Sequence, residues 1–185
     1  LCIVKQGSMR KIVLFTAISI DGFIARKDGD ISWLNNPDYA LEGEDYGYTG
    51  FYRSVDTTLM GNNTYRQIMG FGVPFPYPDK ENYVLTRSES EEPTDEVMFV
   101  TGNIADFTRQ LKEQEGEDIW LVGGGEVNAF MLENAFIDRL ILTVMPVALG
   151  SGIPLFEGAS QETQWKLAAQ ETYQNGVIQL IYDRL

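Results

Sequence analysis

The chain has 185 residues, 44% of them hydrophobic, with 14 basic and 27 acidic side chains, a net charge of −13, no histidine and one cysteine. That length fits one domain, the apolar fraction excludes disorder, and no apolar run approaches the roughly 20 residues that span a bilayer. Without histidine there is no Ser-His-Asp or Cys-His pair and no His-ligated metal, and the lone Cys2 builds neither a disulfide nor a metal site, so a reducing cytoplasm is the expected setting. Acidic residues are spread along the whole chain, which leaves no basic stripe for nucleic acid or anionic membrane. A phosphorylated ligand must then be held locally, by backbone N–H groups and one or two arginines.

Residues 1–8 lack the apolar core of a signal peptide, and Gly7-Ser8 before Met9 reads as a tag remnant or disordered extension, with the domain over 9–185. Ile12–Phe15 is a short apolar run typical of a strand buried on both faces. Asp45–Ser54, with Tyr48, Phe51 and Tyr52, is helix-like; Thr57–Met60 is a strand, and Asn63–Met69 is a helix behind a pair of asparagine caps. Val73–Pro78, with three prolines, is a surface loop. Strands at Tyr83–Leu85, Val97–Val100, Ile119–Val122 and Leu140–Val144 alternate with helices at Ile104–Glu115 and Val127–Ala135. Such alternation implies right-handed crossovers. Gln164–Tyr173 and Val177–Arg184 flank Gln174-Asn175-Gly176, a hairpin signal. The expected fold is α/β and three-layered: a mostly parallel central sheet, helices on both faces and a C-terminal antiparallel hairpin.

In open α/β sheets ligands sit beyond the carboxyl ends of the strands. Four such ends carry unusual residues. Val122 leads into Gly123-Gly124-Gly125 and a helix, where backbone free of Cβ can approach a bulky group beside open N–H donors. Met60-Gly61-Asn62-Asn63-Thr64-Tyr65 enters a second helix, Leu85-Thr86-Arg87-Ser88 offers hydroxyls and a guanidinium, and Ala17 precedes an Asp21-Gly22 turn. Each has a plain alternative: a tight turn, an ordinary cap, or a solvated arginine. In this order they describe one extended crevice for a dinucleotide.

These segments, together with Ser19-Ile20-Asp21-Gly22-Phe23-Ile24-Ala25 and Gly150-Ser151-Gly152-Ile153-Pro154-Leu155-Phe156, resemble the dihydrofolate reductase superfamily, and within it the branch built around the reductase domain of riboflavin biosynthesis. The resemblance implies that Ala17 and Ile24 flank a nicotinamide. It implies that Gly61, Asn62, Asn63, Thr64 and the Gly123–Gly125 turn hold the pyrophosphate. Thr86 and Arg87 would border the adenosine and its 2′-phosphate, with Leu85, Val122, Glu126 and Val127 completing the cofactor site. It places Trp33 and Phe51 at the substrate, and a catalytic acid facing Thr143. That acid is Asp45 counting back from Gly61, or Asp38 counting forward from Trp33; both also read as ordinary charges at a helix start. Asn62 and Glu126 stand where relatives often carry cations, leaving Arg87 as the main 2′-phosphate candidate. Arg26, Lys27 and Arg53 are the cations nearest the substrate end.

The expected activity is hydride transfer from NADPH, with NADH possible, to a pterin-, pyrimidine- or ribosylamine-like small molecule, of the 5-amino-6-(5-phosphoribosylamino)uracil reductase type. A proton would come from a carboxylic acid of raised pKa, Asp45 if shielded by Tyr46 and Tyr48, or from water. A homodimer is expected, and no metal. The alternatives are a true dihydrofolate reductase and a non-catalytic nucleotide-binding dimerisation module.

Overall fold

The structure is a computed structural model, and it describes residues 9–89 and 91–185. The expected N-terminal extension, with Cys2, lies outside the described residues. In chain order the described residues build β1 (Ile12–Ser19), β2 (Phe23–Ala25), α1 (Tyr48–Arg53), β3 (Val55–Gly61), α2 (Asn62–Gly70), β4 (Glu81–Leu85) and β5 (Met98–Val100). There follow α3 (Ile104–Glu113), β6 (Asp118–Gly123), α4 (Gly125–Glu133), β7 (Ile137–Met145), β8 (Ile153–Pro154), β9 (Trp165–Thr172) and β10 (Ile178–Arg184). Two 3₁₀ turns, Ser32–Asn35 and Pro37–Tyr39, lie before α1.

Eight of these strands form one sheet in the order β5-β4-β3-β6-β1-β7-β10-β9. From β5 to β7 every neighbouring pair is parallel, while β10 is antiparallel to β7 and β9 antiparallel to β10. Alternate residues of the central strands serve opposite faces, as the pleat requires. Ile12 and Leu14 of β1 join Ile119 and Leu121 of β6 in a core closed by Leu111 of α3 and Met131 and Leu132 of α4. Val13 and Trp120 face the other way, onto Phe51 of α1, and Met60 and Val84 pack on Ile68 of α2. Helices therefore cover both faces, and the chain adopts the expected three-layer α/β fold with its C-terminal hairpin. At the hairpin turn Asn175 Oδ1 accepts from Val177 N at 3.2 Å, and Gly176 takes a φ of 84° that suits glycine.

Three details differ from the sequence expectation. The Asp45–Ser54 helix begins only at Tyr48, because Tyr46 and Gly47 are left-handed (φ 54° and 77°) and Asp45 caps the helix start from outside it. The asparagine pair does not cap α2; Gly61 is its N-cap, and the Asn62 side chain instead donates to Glu91 Oε1 at 3.0 Å. A second, two-stranded sheet joins β2 to β8 with Phe23 opposite Pro154 and Ala25 opposite Ile153. Asp21 anchors it: its carboxylate accepts from Leu149 N at 3.1 Å and Gly150 N at 2.7 Å, tying the β1–β2 turn to the loop after β7.

Candidate active site

The carboxyl ends of β1, β3, β4 and β6 open into a crevice of about 980 Å³. Its structural logic begins with glycines. A Cβ on Gly61, at the end of β3, would lie 2.9 Å from Val127 Cγ2, so β3 can meet the first turn of α4 only without a side chain there. A Cβ on Gly125 would come within 2.6 Å of the Pro154 carbonyl and 2.9 Å of Glu157 Cβ, which seats the start of α4 under β8. Gly124 faces Thr64 Oγ1 of α2 at 3.2 Å from the same ideal position, and the Gly123–Gly124 peptide is cis. Among the described residues neither α2 nor α4 has a side-chain N-cap, so capping side chains leave the first-turn N–H groups of both helices open, as an anion-binding site requires.

Of the residues expected to hold a cofactor, Ala17, Ile24, Gly61, Asn62, Asn63, Thr64, Leu85, Thr86, Arg87, Val122, Gly124, Gly125, Glu126 and Val127 all line this crevice. Gly123 does not line it, although it sits in the turn, with φ 119°. At the far end Arg87 is 94% exposed in its side chain and lies 3.6 Å from Glu126 Oε2, a loose surface pair. Nearby, Glu91 accepts from Asn62 and from Arg66 Nη2 at 2.5 Å, and these donors hold its carboxyl below the usual range. Thus acids accompany the cations at this end.

At its Ala17 end the crevice meets a smaller pocket of about 400 Å³; Ala17 and Leu34 line both. Phe15, Thr143 and Met145 line it from the sheet, with Pro37, Tyr39 and Tyr46 from the loop before α1. Ala17 and Thr143 are register partners on β1 and β7, so the hydroxyl of Thr143 lies beside the point where crevice and pocket join. Thr143 is buried, and its Oγ1 accepts from Gln179 Nε2 at 3.2 Å; the same amide donates to the Tyr46 carbonyl at 2.7 Å. Asn175 donates to the Tyr39 carbonyl at 2.9 Å and to Tyr46 Oη at 2.6 Å, while the Tyr46 hydroxyl donates to the Tyr39 carbonyl. The C-terminal hairpin thereby fastens the pocket loop to the sheet.

The other site candidates fall as follows. Asp45 lines the pocket but is exposed. Thr49, by side chain and backbone, and then the Gly47 N–H hold its carboxyl below the ordinary range, so it is not the shielded, raised-pKa acid that the sequence proposed. Asp38 is exposed in the second 3₁₀ turn and outside both cavities. Phe51 lies behind the pocket, stacked on Phe15 with ring centroids 4.4 Å apart, because the one turn of helix that carries it packs it against Trp120. Trp33 is buried with Met145 and Val177, while its neighbour Leu34 reaches the cavities. Both aromatics back pocket residues rather than line the pocket. Phe15, Asn175 and Gln179 were missed by sequence reasoning as site residues, whereas Tyr46 was offered only as a shield for Asp45 and turns out to line the pocket. Only Asn175 carried a signal, as part of a turn; Gln179 gave none, being one polar residue in a strand.

The model for the RibD C-terminal domain matches residues 10–179. The chain belongs to this family. It is 45% identical to an uncharacterized Bacillus subtilis (strain 168) protein, YwjB, over 95% of this chain and 98% of that one. The structure of a putative riboflavin biosynthesis protein from Shewanella sp. PV-4 matches with a TM-score of 0.84 at 29% identity, over 95% of this chain and 99% of that one. A dihydrofolate reductase from Enterococcus faecalis complexed with NADP(H) matches with a TM-score of 0.65 at 16% identity, over 94% and 96% of the two chains, which shows the dihydrofolate reductase-like fold. Membership of the RibD C-terminal domain family makes the chain a reductase-type oxidoreductase. No helix among the described residues is long and apolar enough to cross a membrane.

Proposed function

We propose that this chain is a nicotinamide-dependent reductase that takes hydride from NADPH, or less readily NADH, and delivers it to a small pterin-, pyrimidine- or ribosylamine-like molecule. One observation carries the reading: two helices without side-chain caps meet across bare glycine backbone in a crevice that ends, at Ala17, against a second pocket. Those glycines fit a dinucleotide pyrophosphate, because a side chain at Gly61 or Gly125 would collide with the wall that shapes the cradle.

When bound, the cofactor supplies the reactive hydride. The chain supplies position and exclusion of water. Gly61–Thr64 and Gly124–Gly125 would hold the pyrophosphate, Thr86 and Arg87 the adenosine side, and Ala17 and Ile24 the nicotinamide. Thr143 Oγ1 accepts the Gln179 amide hydrogen, which leaves its own proton to be donated into the pocket. A proton for the reduced product then comes from water held at Thr143 rather than from Asp45. A true dihydrofolate reductase would set a carboxylate against that threonine, whereas here the partner is Gln179, so that reading is not favoured.

Titration of NADPH and NADH, followed by Trp33 and Trp120 fluorescence and by melting temperature, tests the proposal. NADPH at 100 times its Kd should add about 2.7 kcal/mol of stability. An unmoved melting temperature and unchanged fluorescence with both nucleotides would reject the cofactor site and with it the reductase reading. A homodimer is part of the reading: among the described residues no strand pairs with the outer edge of β9, and Leu167 on it is exposed. Sedimentation equilibrium should give twice the chain mass.

A further inference from the structure

The smaller pocket restricts the substrate more than the family resemblance does. Among the described residues that line it there is no lysine or arginine. The cations nearest in sequence are placed elsewhere: Arg26 pairs with Asp30 at 2.9 Å, Lys27 lines the dinucleotide crevice, and Arg53 ends α1 outside both cavities. The one carboxylate at the pocket is Asp45, whose oxygens accept from Gly47 N at 3.0 Å and Thr49 N at 2.8 Å and so remain ionised at neutral pH. The walls are flat or apolar, from Phe15, Leu34, Pro37, Tyr39 and Met145, and Phe15 is braced from behind by Phe51. About 400 Å³ suits a single ring system. The loop over it is tied to the β9–β10 hairpin, by Asn175 of the turn and Gln179 of β10, so the walls are set before the substrate arrives.

A phosphate brought here would lie beside an anion with no cation among the lining residues to receive it. We infer that the pocket selects an uncharged, unphosphorylated compound built on a planar heterocycle, with a reducible C=N or C=O bond in the ring or on its substituent, and discriminates against phosphoribosyl compounds. The inference rests on the reductase reading above. In the step it implies, the carbon of the C=N or C=O bond gains a hydride, the π pair moves to nitrogen or oxygen, and that atom takes one proton from water. Reduced nicotinamide is the reductant and leaves oxidised.

The test uses a matched pair, 5-amino-6-(ribosylamino)uracil and its 5′-phosphate, with the full chain and NADPH, followed by loss of nicotinamide absorbance and by binding. The unphosphorylated compound should have a kcat/KM at least about tenfold higher, the difference residing mainly in KM and in affinity. Ala40→Lys, which sets a cation on the exposed rim of the pocket, should narrow that ratio at least about threefold. Equal or better use of the phosphorylated compound overturns the inference. If neither compound binds while NADPH still raises the melting temperature, the substrate class is wrong and the cofactor reading stands. If NADPH has no effect either, both fall.

Discussion

On the proposed reading, Arg87 and Glu126 set the balance at the end of the crevice that would take the adenosine. An exposed pair 3.6 Å apart is worth at most about 1 kcal/mol, so a 2′-phosphate can displace Glu126 from the guanidinium at little cost. Arg87→Ala should weaken NADPH by about tenfold, the scale of a charged hydrogen bond, and NADH much less. Glu126→Gln should tighten NADPH by a smaller factor. Calorimetric titration of both nucleotides checks this, and equal losses would show that the 2′-phosphate lies elsewhere. At the opposite end, Asp45→Asn should leave the acid limb of the kcat profile in place, because Asp45 is an exposed cap for Thr49 and not a proton reservoir. The sequence offered Asp45, counting back from Gly61, only slightly ahead of Asp38, counting forward from Trp33, because Asp45 lies at the expected helix start. What separates them is whether a side chain reaches a cavity, and that depends on the left-handed Tyr46-Gly47 step, which the pattern of residue types does not encode.

At the scale of elements, the site is a contact between the ends of β3, α4 and β8. Gly61→Ala forces a Cβ to within 2.9 Å of Val127 Cγ2, an overpacking that typically costs about 1–3 kcal/mol. Adding Val127→Ala removes the obstructing methyl, so the double variant should recover part of the denaturation midpoint that the single variant loses. Gly125→Ala should not be rescued in this way, because its neighbour at 2.6 Å is the Pro154 backbone carbonyl. Additive rather than compensating losses in the Gly61–Val127 pair would refute the packing account. The long strands and the helices were legible because they bury continuous or periodic apolar faces. The β2–β8 pair was not, since three residues against two show no periodicity. The triple glycine was visible, but it was read as room for a ligand or as a plain tight turn; the structure adds that Gly125 is bare because β8 lies on it.

Over the whole molecule, two electrostatic effects of opposite sign act on stability as the pH falls. The chain carries −13, so protonating surface carboxylates on the way toward the pI near 4.3 relieves self-repulsion, and salt at neutral pH should do the same by screening. Against this stand carboxylates that the fold keeps more acidic than they are in the unfolded chain. Asp21 is the instructive one: the Ser19 hydroxyl, then the Leu149 and Gly150 N–H groups, lower its pKa from 3.8 while it ties the β1–β2 turn to the loop after β7. Arg139 acts likewise on Asp183 between β7 and β10. A lowered folded pKa contributes stability that is complete above 3.8 and lost as pH drops through the folded value. The melting temperature should therefore hold or rise from pH 7 toward 4.5 and then fall steeply below 3.8. Asp21→Asn should melt lower than the parent at pH 7, yet lose less on acidification below 3.8, so that the two curves converge. Parallel curves down to pH 2.5 would mean that Asp21 has the same pKa folded and unfolded, and that the loop after β7 is held against the β1–β2 turn by packing alone.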